Sequence, residues 1–115
     1  MKGEAIEQAR LFSLCRYIKD FQWLFHIPNG GSRNPMEARN LKLQGVKPGV
    51  PDMFLPIPTK KYHGLFIEMK HGKNKPTKYQ LQWLDYLNKA GYLAVICYGH
   101  EAAIKALNNY INERY

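Results

Sequence analysis

Two short stretches of this sequence place acids and a cation where they can act together. Glu68-Met69-Lys70 closes an apolar run, Leu65-Phe66-Ile67, that reads as a strand. Side chains alternate along a strand, so Glu68 and Lys70 share a face with Gly64 and Phe66, while Met69 points the other way. The apolar run leaves that charged pair only partly solvated. Asp52, directly after Pro51, stands at the head of a second run, Met53-Phe54-Leu55. If the two strands pair as a hairpin-like meander, Asp52 and Glu68 face each other across the ladder. Carboxylates that close repel unless a cation lies between them. An all-oxygen donor pair favours Mg²⁺ or Mn²⁺ over zinc. Lys70 beside such a cation can stabilise the charge that grows on a phosphoryl group. Taken alone, Glu-x-Lys is equally an ordinary structural ion pair, and Asp after Pro an ordinary turn cap. Their conjunction behind a glycine-rich loop is what points to chemistry.

The elements that must position these residues read in the order α-β-(α)-β-β-α-β-α, an α/β sandwich around a mixed sheet. Residues 4–25 predict one helix, with Leu11, Leu14, Cys15, Ile18 and Phe25 on a single stripe. Extended back by the same period, that stripe reaches Glu4, Glu7 and Gln8. Residues 25–28 form a short extended piece closed by the turn Asn29-Gly30-Gly31-Ser32, and residues 35–44 a short helix ended by Gly45. Gly45, Pro48, Gly49 and Pro51 stiffen the loop that delivers Asp52. Pro56 and Pro58 end the strand after it and suggest that one of its edges is unpaired. Residues 62–70 make the next strand. Thr77 caps a helix over 77–90, with Gln80 in the capping-box position, Leu84 and Leu87 on its buried face, and Gly91 closing it. Residues 92–98 are a continuous apolar strand of the kind covered on both faces. Residues 101–113 make a last helix through Ala102, Ile104, Ala106, Leu107 and Ile111.

The 115 residues suffice for one domain, 1–115, and their 45% hydrophobic content is that of a globular protein. Two acids in the first ten residues stand where a signal peptide needs an apolar core, and no run is long enough to span a bilayer. A cytoplasmic protein with no membrane partner is therefore expected. Cys15 and Cys97 lie inside apolar segments and read as buried hydrophobes, not as a zinc site or a disulfide. His26, His63 and His71 match no ligand spacing. The net charge is +8, and residues 33–78 hold ten basic residues against three acids, +7 of that total. Such segregation points to a polyanion, nucleic acid first. The turn at Asn29, Gly30 and Arg33 could meet phosphates through backbone N–H groups and the guanidinium, or could need its glycines only for tightness. Lys73, Lys75 and Lys78, just beyond Lys70, suit phosphate neutralisation. Tyr79 and Trp83 could stack on bases, although core packing suits Trp83 better.

Pro51-Asp52 with Glu68-Met69-Lys70 resembles the PD-(D/E)xK nuclease signature. The wider string is similar to the virus-type replication-repair nuclease (VRR-NUC) domain. The resemblance rests on Ile27-Pro28-Asn29-Gly30-Gly31, on the eight residues from Gly45 to Asp52, on Glu68-Met69-Lys70, and on Gln80-Leu81-Gln82-Trp83-Leu84 with Gly91-Tyr92. It covers about residues 4 to 98, and four ordered blocks are far more specific than a lone Asp…Glu-x-Lys. It implies a restriction-endonuclease-like fold and Mg²⁺- or Mn²⁺-dependent phosphodiester hydrolysis. Asp52 and Glu68 become metal ligands and Lys70 the catalytic lysine. The resemblance also implies a glutamine on the helix after the Glu-x-Lys strand, which falls on Gln80, and an acid on the first helix. Glu4, with Gln8 four residues on, fits that spacing best, and Glu7 lies on the same stripe.

The function expected is structure-specific cleavage of DNA. No recognition helix or zinc-finger module is left over to read base sequence. One active site cuts one strand, so a symmetric homodimer would bring two sites to a four-way (Holliday) junction. Small proteins similar to this one are typical of phages and prophages, which implies a bacterial host cell. A monomeric flap or end-processing nuclease and a non-cleaving basic nucleic-acid-binding module are the alternatives. Tyr86, Tyr98, Tyr110 and Tyr115 are candidates for a dimer surface.

Overall fold

A computed structural model of the chain describes residues 2–28 and 34–115. Its centre is a four-stranded sheet of β1 (Phe25–His26), β2 (Met53–Leu55), β3 (Leu65–Lys70) and β4 (Leu93–Tyr98), neighbours in that order. The first three strands run antiparallel, with Met53 opposite Ile67 and Leu55 opposite Leu65. β4 runs parallel to β3, Lys70 opposite Tyr98. A parallel pair needs a crossover, and α3 (Lys78–Lys89) provides it. α1 (Glu4–Cys15) and α4 (His100–Ile111) pack together against one face of the sheet, and α3 lies on the other. α2 (Pro35–Leu43), capped by Asn34, buries no residue. No helix among the described residues is long and apolar enough to cross a membrane.

Strand alternation divides the core. Leu65, Ile67 and Met69 of β3 point toward α1 and α4, where they meet Leu11, Cys15, Met53, Leu55, Cys97 and Leu107. Each such side chain, fully buried, is worth roughly 1.5–3 kcal/mol. Phe66, on the opposite face, packs with Ala94 and with Leu84 and Leu87 of α3. Glu68 and Lys70 follow Phe66 by twos and so turn toward α3. Cys15 and Cys97 are free and buried, as their apolar surroundings predict.

The first helix is shorter than its periodicity predicts. It ends at Cys15, where the N–H groups of Tyr17 and Ile18 bond back only three residues, to Leu14 and Cys15. Ile18 then takes extended backbone, and a 3-10 helix over Lys19–Trp23 follows. Phe21 continues the three-and-four spacing, so periodicity alone cannot see the break. A helix through residue 25 would run about 33 Å and carry Phe21 and Leu24 past the core they complete. Leu14, Ile18 and Phe25, expected inside, are exposed. In α4 the buried stripe is Ala103, Ala106, Leu107 and Tyr110, and Ala102 faces solvent. Tyr110 is thereby removed as a surface candidate: its hydroxyl is spent on the Ile57 carbonyl at 2.7 Å. β4 is flanked by α3 and α4 but lies at the sheet's edge, and β3 is the most buried strand.

Candidate active site

Three elements converge at the C-terminal end of β3. The β2–β3 pairing brings Asp52, one residue ahead of β2, alongside Glu68: its Oδ2 accepts the Met69 N–H at 2.7 Å. The Asp52 carbonyl is in turn held by the Ile27 N–H at 2.6 Å and by His26 Nδ1 at 2.9 Å. The meander expected from sequence thus sets the two carboxylates side by side. Glu68 and Lys70 are 2% and 5% exposed, far more buried than the partial solvation their sequence context suggests. Lys70 Nζ lies 3.8 Å from Glu68 Oε2.

The start of α3 supplies a third group. Thr77 and Gln80 form a complete capping box: Thr77 Oγ1 accepts the Gln80 N–H at 3.2 Å, and Gln80 Oε1 accepts the Thr77 N–H at 2.9 Å. That exchange occupies the amide oxygen and leaves Gln80 Nε2 to donate to Glu68 Oε2 at 3.1 Å. Capping and site contact are therefore performed by one side chain. The loop before Asp52 is pressed on the same turn. Gly49 has φ +87°, and a Cβ there would lie 2.5 Å from the Tyr79 carbonyl carbon and 2.7 Å from the Gln80 nitrogen. Only glycine permits that approach. Trp83 Nε1–H fastens the loop by donating to the Pro48 carbonyl at 3.1 Å.

Glu68 is the electrostatic centre of the cluster. Burial pushes its carboxyl up to about 9, Asp52 beside it adds to the rise, Lys70 opposes it and Glu4 adds a smaller increment. Its Oε1 is buried and has no hydrogen-bond partner among the described residues. An orphaned buried acceptor is costly and calls for a ligand or a proton. Asp52 and Glu68 are hard oxygen donors, and Mg²⁺ is commonly held by one or two carboxylates with substrate phosphate and water completing the shell. The residues present fit such a cation. No group of three His, Cys, Asp or Glu side chains among the described residues is gathered to hold a metal by itself.

The two acids of α1 differ in what they face. Glu4 acts on Glu68 through its charge, and its Oε2 accepts from Asn74 Nδ2 at 2.8 Å. Glu7 instead meets His100 Nδ1 at 2.8 Å and Arg10 at 3.6 Å. The hydrogen bond from His100 holds the Glu7 carboxyl below the usual carboxylate range. Sequence reasoning had no signal for Asn74 or His100, because both contacts join residues 70 or more positions apart. Asn74 also accepts the Tyr98 hydroxyl at 2.8 Å through its carbonyl, tying the segment after β3 to β4. Lys73 and Lys75 on that segment, and Lys78 opening α3, are exposed. Asn29, Gly30 and Arg33 lie outside the described residues. His63 packs on Tyr92 and His71 near Gly3, neither in a ligand cluster.

The site can hold a divalent cation between two carboxylates, with a buried ammonium and an amide directed at the same carboxylate. The family model of the VRR-NUC domain matches residues 8–101. The solved structure of a "VRR_NUC domain protein" is 31% identical and superposes with a TM-score of 0.83, covering 96% of this chain and 91% of that chain. No curated protein matches the chain.

Proposed function

Because the chain belongs to the VRR-NUC domain family, nucleases of the PD-(D/E)xK type, we propose that it is a Mg²⁺- or Mn²⁺-dependent, structure-specific DNA endonuclease. The observation that carries this reading is the buried Glu68 carboxylate, its Oε1 orphaned, with Asp52, Lys70 and Gln80 around it. Asp52 and Glu68 would hold the cation, with Glu4 of α1, whose charge reaches Glu68, as a further acidic ligand. A bound divalent cation supplies Lewis-acid stabilisation of phosphoryl oxygens and makes water more acidic. The Lys70 side chain lies where negative charge accumulates as water attacks the phosphodiester. Its stem is walled in, so the ammonium is pre-positioned and reorganises little. Gln80 fixes the rotation of Glu68, since its amide is itself fixed by Thr77. Lys73, Lys75 and Lys78, with Asn29, Gly30 and Arg33, contact phosphates and so orient the duplex without reading its sequence.

The substrate we assign is branched DNA, a four-way junction cut by a homodimer. A single site hydrolyses one strand, and two-fold symmetry matches two sites to two equivalent strands. The exposure of Leu14, Tyr17 and Ile18 at the end of α1 supports a protein-covered surface there. The setting is the cytoplasm of a bacterial host cell, with the gene carried by a phage or prophage.

The test is cleavage of a four-way junction, a flap, a splayed duplex and a plain duplex, with Mg²⁺ and with Mn²⁺, by wild type and Asp52→Ala. Paired symmetric cuts confined to the junction and absent in the variant are expected. Cuts at flaps or ends would keep the nuclease and remove the junction-resolving dimer. No metal-dependent cleavage of any substrate would leave a non-cleaving binding module.

A further inference from the structure

Tyr79, Trp83 and Tyr86 recur at i, i+4 and i+7 on α3 and so form one stripe along the helix. It starts beside Gln80, at the candidate active site, and leads away from it for about 10 Å, the rise of seven helical residues. Two of the rings lie largely in solvent, and Trp83 is partly buried. Tyr79 is 54% and Tyr86 63% exposed. Trp83 only borders the Leu84–Leu87–Ala94 cluster. Its single polar group is already spent on the Pro48 carbonyl, so the indole is locked in place. Tyr86 stands edge-on to it, with ring centroids 6.3 Å apart and planes at 89°. Between this pair and Lys47 on the facing loop runs an open groove of about 470 Å³, with Gln82 on its wall. That volume is within the ~300–1,000 Å³ of clefts that take small organic groups.

Flat apolar faces, an amide that can donate and accept, and the exposed Lys47 ammonium are the complement of a base joined to a phosphate. An apolar peptide would leave Lys47 and Gln82 without use, and a duplex presents no base faces to a stacking ring. Lys47 also belongs to the strongly basic part of the chain. We infer that this groove binds unpaired nucleotides next to the cut, with a base against Trp83 and Tyr86 and its phosphate on Lys47. The substrate of the proposed nuclease then offers unpaired nucleotides at its branch point, where the pairs of a four-way junction open. The inference rests on the nuclease reading only for the polymer it names, and metal-free binding tests it separately from cleavage.

The sequence has two tryptophans, so Trp23→Phe leaves Trp83 as the sole indole reporter. That protein is titrated in EDTA with a short oligothymidylate and with a blunt duplex, following tryptophan fluorescence alongside anisotropy of the labelled DNA. The single strand is expected to quench Trp83 and the duplex to leave it nearly unchanged. Tyr86→Ala should weaken single-strand binding about tenfold, in the range for loss of one base–aromatic stack, and Tyr86→Phe should keep it within about twofold. Lys47→Ala should lower the salt dependence by about one phosphate contact. Because Tyr86 is exposed, circular dichroism of its variants should match the parent. Single-strand binding without quenching, equal quenching by the duplex, no single-strand binding, or wild-type affinity in Tyr86→Ala would each overturn the inference. If quenching occurs but no DNA is cut when Mg²⁺ or Mn²⁺ is supplied, the groove stands and the nuclease reading falls. If DNA is cut without single-strand quenching, the reverse holds.

Discussion

Glu68→Gln should abolish cleavage and at the same time stabilise the metal-free fold. In the unfolded chain the carboxyl ionises near its ordinary 4.5, whereas burial and Asp52 raise it to about 9 in the folded protein. Between those values the folded state binds the proton and the unfolded state does not, so stability falls as pH rises. Each pH unit in that window costs about 1.4 kcal/mol. At pH 7 the window spans about two and a half units, an upper figure of about 3 kcal/mol. Relaxation of nearby dipoles and water at the rim reduce it, and about 2 kcal/mol is a fair expectation. Glutamine has nearly the same shape, keeps an acceptor for Gln80 Nε2, and has no proton to lose. For a chain of this size about 2 kcal/mol moves the melting temperature by about 8 °C. The assay is thermal unfolding by circular dichroism in EDTA at several pH values from 5 to 8. The variant's advantage should be under about 1 kcal/mol at pH 5 and widen toward pH 8. A variant no more stable than wild type at pH 7, or a gap that does not change with pH, would refute the assignment of Glu68 as a carboxyl destabilised by its site.

Lys70→Met should lower kcat for DNA cleavage by about 10²- to 10³-fold, the usual effect of deleting one positioned charge-stabilising group, with DNA binding in EDTA little changed by anisotropy. Gly49→Ala should cost about 2 kcal/mol or more in urea unfolding, because its Cβ has no room against the Tyr79 and Gln80 backbone and its φ is positive. The same variant should cut more slowly, since the displaced loop carries Asp52. His100→Ala should return the Glu7 carboxyl upward to the ordinary range in an NMR titration. Its loss of cleavage should be much smaller than that of an Asp52 variant, since Glu7 is turned to His100 and not to Glu68.

The placement of the candidate groups was legible in the sequence where it depends on short-range rules. Strand alternation puts Glu68 and Lys70 on one face whatever the fold, and the capping-box spacing puts Gln80 three residues after Thr77 whatever α3 packs on. Proline and glycine around Asp52 announce a loop with little freedom. The basic segment and the buried cysteines follow from composition and local pattern alone. Element order and the mixed sheet follow from the same signals, with β3 and β4 joined through a helix.

Tertiary structure decided what depends on residues distant in sequence. The end of α1 at Cys15 was invisible, because Phe21 continues the helical spacing while the chain turns it into the core by another route. The burial of Glu68 was invisible too, since the groups that meet it include Asp52 from the loop before β2 and Gln80 from α3. The sequence left Glu4 and Glu7 on one stripe. In the fold, His100 from α4 engages Glu7, while Asn74 and the charge of Glu68 face Glu4. Local sequence determines which groups share a face, since backbone geometry is the same in every protein. Which of them are dehydrated, and by whom they are paired, is set by chain segments that meet only on folding, and with it the proton affinity on which the site's chemistry rests.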